Sequence, residues 1–284
     1  MTLRVKKWFA IVLVIVLAFC GTACTRTEPA EPGSSQEPTE SDTTQEPAKS
    51  DEVPENPLIE GLKATALAWV YTENWFWYET RAPYAICRVP RTAGEPETVF
   101  ELNEGAIPQD AGRFFAANGC VWLAYYAGSL IQGETLFRFD EDGTYKIVAS
   151  QYSGVAVGEG YVVKTDNFPP PEPNNLYVST DNGDTWERCG DPQYLYGSFR
   201  NENGGYTSNN QSLAIRDHYV YAPAVFDPYG GSEESSRYAV IVRVNLETGE
   251  TERLTDEAMS YELYDNVLVY SKPDGTSLTV SINK

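Results

Sequence analysis

Side chains of the kinds that carry out catalysis are sparse in this sequence. His218 is the only histidine, and it lies in Arg216-Asp217-His218-Tyr219, a pattern typical of a hairpin turn. No Cys-x-x-Cys pair occurs, and Cys87, Cys120 and Cys189 each lie in apolar, strand-like surroundings, where a buried free thiol is the ordinary outcome. A histidine-rich zinc site and a Ser-His-Asp triad are therefore not expected.

Carboxylates, by contrast, are abundant. The chain has 41 Asp and Glu against 21 Lys and Arg, a formal net charge of −20. Removal of residues 1–23 takes away three basic residues and no acid, so the remainder carries 18 − 41 = −23. Such a charge makes nucleic acid a poor partner and favours solubility outside the cell. Calcium binding by carboxylates is conceivable, but no twelve-residue calcium loop with the required acid spacing is present, so no cofactor is expected.

One motif is specific. Ser179, Asp181, Gly183, Thr185 and Trp186 follow the pattern S-x-D-x-G-x-T-W at every defined position. Asp and Ser side chains can satisfy the amides of a turn, Gly can take a left-handed conformation, and Trp can cover the hairpin. The pattern resembles the Asp-box of bacterial sialidases and sortilin-type receptors. That resemblance implies a structural role, at the turn between the two outer strands of a β-propeller blade and away from any active centre.

A second motif bears on enzymatic activity. Cys87-Arg88-Val89-Pro90 partly matches the [FY]-R-I-P motif of sialidases, which clamp the substrate carboxylate with arginines and use a Tyr–Glu nucleophile and an Asp acid/base. However, Arg88 is predicted on the third strand of its blade, pointing away from the central pore. The chain also has only one good Asp-box, whereas that family usually has several. We therefore assign no catalytic residue and keep a glycoside hydrolase of sialidase-like type as the alternative function.

The densest aromatic run is Trp75-Phe76-Trp77-Tyr78. Strand alternation places Trp75 and Trp77 on one face and Phe76 and Tyr78 on the other. Aromatic side chains are frequent anchors for binding partners, so Trp75 and Trp77 are candidates for a binding surface. The competing interpretation is that both faces of this strand pack against neighbouring elements.

The elements that must position these residues repeat along the chain. A polar turn followed by an aromatic or β-branched strand recurs around Trp75, Val121, Tyr161, Tyr219 and Val267, at intervals of roughly 40 to 58 residues. After each of the first four units comes a strand, a glycine turn and another strand. The second strands of these later pairs are predicted at Glu97–Leu102, Tyr145–Ala149, Thr185–Cys189 and Thr251–Leu254.

Two hairpins per repeat at this period predict an all-β fold, a β-propeller of about five (five or six) four-stranded blades. The fifth repeat ends with its third strand, Leu278–Ile282. We expect Pro57–Leu62 to supply the missing strand and close the ring, because closure removes open sheet edges. An open ring, or a sixth degenerate blade, is the alternative. Ile86–Pro90 and Val242–Asn245 with their following turns are similar to propeller blades of bacterial surface proteins of unknown function, which resemble the low-density-lipoprotein receptor propeller.

The N-terminus has the features of an export signal. Arg4, Lys6 and Lys7 precede the apolar run 8–19, and small residues lead to Cys24. Gly21-Thr22-Ala23-Cys24 resembles the lipobox of bacterial lipoproteins, which implies cleavage before Cys24 and a lipid on that cysteine. Cleavage after Ala23 without lipidation, and an uncleaved membrane anchor, are the alternatives.

Residues 25–57 have the composition of a disordered arm. They contain six prolines, nine acids and a single sizeable aliphatic residue, Val53. Such a segment cannot bury enough apolar surface to offset its conformational entropy. The predicted organisation is therefore a signal peptide over 1–23, a lipidated linker over 24–57 and a β-propeller over 58–284.

Taken together, these patterns predict a membrane-anchored extracytoplasmic lipoprotein. Its propeller is expected to act as a binding or scaffolding module for a protein, peptide or glycan. The expected partners are the membrane, through the N-terminal lipid, and that ligand, but not nucleic acid. The chain is expected to be a monomer.

Overall fold

The strands predicted from the repeats are present in order along the chain. The structure, a computed structural model, describes residues 54–101, 113–125, 134–166, 175–200, 206–208, 213–226 and 238–282, all within the unit Asp51–Lys284. The described elements begin with α1 (Leu58–Lys63), β1 (Trp69–Tyr71), β2 (Trp75–Arg81), β3 (Tyr84–Pro90), β4 (Glu97–Glu101), β5 (Arg113–Ala117), β6 (Cys120–Tyr125) and β7 (Glu134–Phe139). They continue with β8 (Tyr145–Gly158), β9 (Tyr161–Asp166), β10 (Leu176–Ser179), β11 (Glu187–Cys189), β12 (Tyr194–Tyr196), β13 (Ser198–Arg200) and β14 (Tyr206–Ser208). The last are β15 (Ala214–Arg216), β16 (Tyr219–Phe226), β17 (Val240–Asn245), β18 (Thr251–Arg253), β19 (Ser260–Leu263), β20 (Val267–Ser271) and β21 (Ser277–Ser281).

These strands form antiparallel sheets that we call blades 1 to 5. Blade 1 is β1-β2-β3-β4. Blades 2 and 3 share the long strand β8, whose first half pairs with β7 and whose second half pairs with β9, so that β5 to β11 form one continuous sheet. Blade 4 is β12-β16-β17-β18, with β15 also pairing with β16, and blade 5 is β19-β20-β21. The strands β13 and β14 pair with each other.

Local sequence explains why the hairpins form. Asn118-Gly119 and Glu159-Gly160 occupy two-residue turns in which both members have positive φ, near +52° and +74° in the first and +52° and +83° in the second. This is the type I′ geometry whose twist matches the flanking strands. The predicted turn at Asp217-His218 has the same signs, +51° and +62°, and His218 is exposed there.

The hydrophobic core lies between consecutive blades. One cluster joins blades 1 and 2, a second joins blades 2 and 3, a third joins 3 and 4, and a fourth joins 4 and 5. Representative fully buried members, one from each cluster, are Trp77, Trp122, Val163 and Ile241. Sequential four-stranded meanders packed face to face are the architecture of a β-propeller. The predicted all-β, propeller-type fold of about five blades is confirmed.

The predicted closing strand over Pro57–Leu62 is wrong. The segment forms the helix α1, which begins directly after Pro57 with Glu60 in its first turn and Lys63 in its last. Pro fits the start of a helix, and the charges suit its dipole. The i, i+3 spacing of Ile59 and Leu62 places both on one side, where they pack against blade 1 on the face opposite blade 2. In the described residues, no hydrophobic cluster contains members of both blade 1 and blade 5, and blade 5 has three strands.

The chain enters blade 1 through a buried polar residue. Asn56 is 3% exposed, and its side-chain amide donates to the carbonyls of Pro90 (3.1 Å) and Gly94 (3.0 Å). Its backbone N–H donates to the Arg91 carbonyl at 2.6 Å, and its Oδ1 accepts from the Leu58 N–H at 3.1 Å. Asn56 therefore joins the start of α1 to the β3–β4 turn.

Candidate functional site at the loop end of the blades

The short turns between the first and second strands of adjacent blades lie side by side. The Asn118 amide of blade 2 donates to the Tyr161 carbonyl of blade 3 at 3.0 Å. The Glu159 carboxylate of blade 3 accepts from the N–H groups of Asp217 and His218 of blade 4, each at 3.1 Å. These contacts place the first-to-second-strand turns at one common end of the blades, which we call the turn end.

At the opposite end, which we call the loop end, the second strand of each blade ends and the third begins. In blades 2, 3 and 4 the residues between these two strands are 126–133, 167–174 and 227–237, which lie outside the described residues. Binding residues in rigid β scaffolds are disproportionately found on such connections. The described strands that lead into the loop end therefore have the greatest bearing on function.

The first buried polar group at the loop end is Glu79, near the end of β2. Its side chain is fully buried between blades 1 and 2, and its Oε1 accepts from the Tyr84 hydroxyl at 3.2 Å. The other carboxylate oxygen, Oε2, has no hydrogen-bond partner among the described residues. Burial raises the pKa of Glu79 to about 7, although the Tyr84 hydrogen bond opposes the shift. The carboxyl group therefore titrates near neutral pH.

A second buried polar group lies between blades 2 and 3. Arg113, at the start of β5, and Glu134, at the start of β7, form an ion pair with Nη2 and Oε2 3.6 Å apart. Arg113 Nη1 also donates to the Val155 carbonyl at 3.4 Å. Tyr152, on β8 where pairing passes from blade 2 to blade 3, is buried beside them, and burial and the Glu134 charge raise its pKa well above the usual value. The group is a compact set of an arginine, a carboxylate and a phenol.

A third polar position follows between blades 3 and 4. Thr165, near the end of β9, is fully buried, and its hydroxyl has no hydrogen-bond partner among the described residues. Its side chain lies against Gly197, where an added Cβ would come within 3.0 Å of Thr165 Oγ1. Buried polar atoms are normally satisfied, so this hydroxyl is one of the exceptions among the described residues.

Three consecutive blade interfaces thus carry buried polar side chains at the loop end. Such groups can accept or donate hydrogen bonds, and Glu79 can exchange a proton near neutral pH. No sequence motif predicts these buried polar residues. The available signal is a charged residue close to an apolar or aromatic run, as with Glu79 after Trp75–Tyr78 and Glu134 before Leu136.

Arg88 is held by contacts within the protein. Its guanidinium lies 3.8 Å from the Trp75 ring centroid and pairs with the Glu97 carboxylate. Its Nη1 donates to the Glu141 carbonyl of blade 2 at 2.6 Å. Arg88 is on β3, the third strand of its blade, and is 6% exposed. The side chain therefore joins blade 1 to blade 2. None of these contacts directs an N–H group of Arg88 toward the loop end.

The two aromatic candidates for a binding surface, Trp75 and Trp77, lie in different surroundings. Trp77 is fully buried in the cluster between blades 1 and 2, so the proposal of a surface role for Trp77 is wrong. Trp75 is half-buried at the turn end and lines a groove of about 510 Å³ together with Glu73, Arg91 and Asp142. The opposite face, with Phe76 and Tyr78, packs on α1, because alternation along the strand separates the two sets.

The turn between β10 and β11 contains the motif residues Ser179 to Trp186. Ser179 Oγ accepts from the Gly183 N–H at 2.8 Å and donates to Asp181 Oδ1 at 2.7 Å. The Thr185 N–H and hydroxyl donate to the two Asp181 oxygens at 2.9 and 2.7 Å. The Thr185 and Ser179 hydrogen bonds lower the pKa of Asp181 to about 2. Trp186 Nε1 donates to the Val148 carbonyl at 3.3 Å. The motif residues thus bond to one another and to blade 2.

The conformation and surroundings of the motif turn explain why position 183 is a glycine. Gly183 has φ +85°, and an added Cβ would lie 2.8 Å from Val148 Cβ. Arg138 of blade 2 donates to the Asn182 carbonyl at 2.8 Å and pairs with Asp184 at 2.9 Å. The turn is therefore fixed to the neighbouring blade by backbone and side-chain bonds at once.

The remaining sequence predictions concern thiols, metals and the N-terminus. Cys87, Cys120 and Cys189 are buried free thiols, as predicted. Within the described residues, no group of three or more His, Cys, Asp or Glu side chains could hold a metal ion. A helix sufficiently long and apolar to span a membrane is not found in the described part of the chain. Cys24, the apolar run and the arm up to Val53 lie outside the described residues.

No protein-family model matches this chain, and neither does any curated protein. Among solved structures, the chain is similar to one described as the crystal structure of a nidogen/laminin complex. The sequence identity is 11%, the TM-score is 0.35, and the match covers 77% of this chain and 73% of that one.

Proposed function

We propose that this chain is an extracytoplasmic lipoprotein, anchored through Cys24, whose propeller binds a protein, peptide or glycan at the loop end. The observation that carries the proposal is the set of buried polar groups at three consecutive blade interfaces, with Glu79 incompletely paired. The longer connections of blades 2, 3 and 4 leave from the same end. Rigid strands that carry polar groups at the end from which long connections leave form a typical binding architecture.

The test compares two glutamates of one blade. Glu79→Gln changes the loop end, whereas Glu73→Gln makes the same change at an exposed residue of the turn end. The wild-type chain and both variants are applied to glycan and peptide arrays at pH 6 and pH 8. We expect Glu79→Gln to lose or alter the pH dependence of binding, and Glu73→Gln to behave as wild type. Equal effects of both variants, or no bound ligand on either array, would contradict the proposal.

The alternative function is a glycoside hydrolase of sialidase-like type. It is favoured by Tyr152, which lies beside Glu134 and Arg113. The sialidases, which the sequence motifs resemble, combine a tyrosine, a glutamate and arginines in their active site. Arg88, the arginine of the partial sequence motif, already contacts the Trp75 ring, the Glu97 carboxylate and a backbone carbonyl of blade 2. Hydrolysis of a fluorogenic sialoside that is abolished by Tyr152→Phe would establish this alternative in place of a pure binding role. No activity over a panel of glycosides would exclude it.

A further inference from the structure

The outer strand of blade 5 differs from those of the other blades. Blades 1 to 4 each place a fourth strand at the outer edge, whereas blade 5 ends with its third strand, β21. In the described part of the chain, β21 pairs with β20 on one side only. Among the described residues, the outer edge of β21 is therefore open.

The hydrogen bonds of the β20–β21 hairpin fix which backbone groups face that edge. The Lys272 N–H donates to the Thr276 carbonyl, and the Ile282 N–H donates to the Asn266 carbonyl. Because hydrogen-bonded and non-hydrogen-bonded pairs alternate in an antiparallel ladder, the even-numbered residues of β21 bond to β20. The N–H and C=O groups of Ser277, Thr279 and Ser281 consequently point away from the sheet.

The side chains of this edge lack the usual protection against strand pairing. Every other outer strand carries charge, which discourages edge-to-edge association. The charged residues are Glu97 and Glu101 in β4, Lys146 in the first half of β8, Glu187 and Arg188 in β11, and Glu252 and Arg253 in β18. The edge strand β21 reads Ser-Leu-Thr-Val-Ser and carries none. In a chain of net charge −20, an uncharged open edge is an exception.

The order of residues in β21 suits one particular occupant. In an antiparallel pair centred on Thr279, this residue lies opposite its own equivalent, Ser277 lies opposite Ser281, and Leu278 lies opposite Val280. Hydroxyl residues thus meet hydroxyl residues, the two aliphatic residues meet each other on the same face, and Leu278 is 38% exposed in the single chain. The same arrangement of β4 would place Glu97 opposite Glu101 of the other copy, like charges that repel.

We propose that two copies of this chain associate through β21, forming a twofold-symmetric dimer with a continuous sheet across blade 5 of each copy. The arm of the same chain is a poor occupant, because residues 25–53 are interrupted by proline, rich in acids and nearly devoid of aliphatic side chains. The inference replaces the monomer expected from the sequence and does not depend on the nature of any ligand.

The first experiment removes the outward N–H of Thr279. The full-length lipidated chain, in detergent with micelles in excess over protein, is followed by sedimentation over a range of concentrations. Thr279→Pro is tolerated within one copy, because this N–H faces away from β20, but it breaks the central pair of the dimer. We expect the wild type and Thr279→Ala to dimerise and Thr279→Pro to be monomeric, with thermal unfolding reporting that each variant is folded.

A charge-swap experiment tests the symmetry itself. Thr279→Glu and Thr279→Lys each place like charges opposite one another at the twofold axis, and we expect each alone to dimerise roughly fivefold or more weakly. An equal mixture of the two should restore association, measured by capture of one differently tagged variant with the other. Ser260→Glu, on the opposite edge of blade 5, is the control and should leave the dimer unchanged. A monomeric wild type, a dimeric Thr279→Pro, or a mixture that fails to associate would overturn the proposal.

Discussion

At the scale of single residues, the most informative side chain is Glu79. A carboxyl group with no solvent exposure and one unpaired oxygen directly follows four aromatic residues of β2. Folding therefore places a proton-binding group where its charged form is disfavoured. The sequence places Glu79 beside this aromatic run but does not reveal its burial, because the burial results from the packing of blade 2 over blade 1. The motif Ser179–Trp186 is the opposite case, since its hydrogen bonds lie within a few residues of each other and the turn could be placed from sequence.

The raised pKa of Glu79 predicts a specific pH dependence of stability. With a pKa of 4.5 in the unfolded chain and about 7 in the folded one, the folded state retains the proton between these values while the unfolded state releases it. Stability is thus lost as pH rises through this window, by an amount on the order of 3 kcal/mol. Glu79→Gln removes the titration, so its free energy of unfolding relative to wild type should rise between pH 4 and pH 8.

Urea unfolding at several pH values measures this difference. Any loss of stability caused by the amide itself is the same at every pH, so only the change with pH is diagnostic. Glu73→Gln, at an exposed position of the same blade, should show no such change. A Glu79→Gln difference that is constant from pH 4 to pH 8 would mean that folding does not raise the pKa of the Glu79 carboxyl group.

At the scale of elements, hairpins were predictable and the helix was not. The type I′ turns at Asn118, Glu159 and Asp217 have a local signature, a polar pair followed by alternating apolar residues, so their strands were located. The helix α1 has only six residues, too few for a periodic pattern, and its stability comes from packing on blade 1. Pro57 suits the start of a helix as well as the edge of a strand, so this proline does not distinguish the two.

The junction of α1 and blade 1 predicts a large effect for one substitution. Asn56→Ala removes the three hydrogen bonds that this buried side chain makes with Pro90, Gly94 and Leu58. We expect a loss of about 2–3 kcal/mol in the free energy of unfolding. Asn74→Ala, at an exposed turn position, is the matched control and should change it by less than about 0.5 kcal/mol. Chemical denaturation decides the matter, and equal effects of the two variants would refute a clamping role for Asn56.

At the scale of the whole molecule, the first and the last of the described blades differ in the face that points away from the other blades. The face of blade 1 that points away from blade 2 is covered by α1. The face of blade 5 that points away from blade 4 carries mostly small and polar side chains, among them Ser260, Glu262, Ser271 and Thr279. Repeat architectures need such caps because a terminal repeat lacks one neighbour. The repeat count was readable from the sequence, because each blade begins with a similar unit. The covering of the free faces of blades 1 and 5 could not be predicted, because it depends on which segment of the chain packs on each face.

Anchoring is the property of the whole chain that remains a prediction. If Cys24 carries the lipid, metabolic labelling with a fatty-acid analogue should mark the wild type and a Cys20→Ala variant equally. Cys24→Ala should lose the label and leave the membrane fraction, since stable anchoring requires the acyl chains. Retained label in Cys24→Ala, or loss of label in Cys20→Ala, would contradict the assignment.

If Cys24 carries a lipid, Asn56 has a mechanical consequence. Tension along the arm would then reach the folded domain at Glu55, which accepts from the Tyr71 hydroxyl, and at Asn56, before it reaches α1. The bonds from Asn56 to Pro90, Arg91 and Gly94 attach the point of entry to the β3–β4 turn of blade 1. Load would therefore pass to a hairpin within a four-stranded sheet, and α1 could stay packed on blade 1 until those hydrogen bonds break.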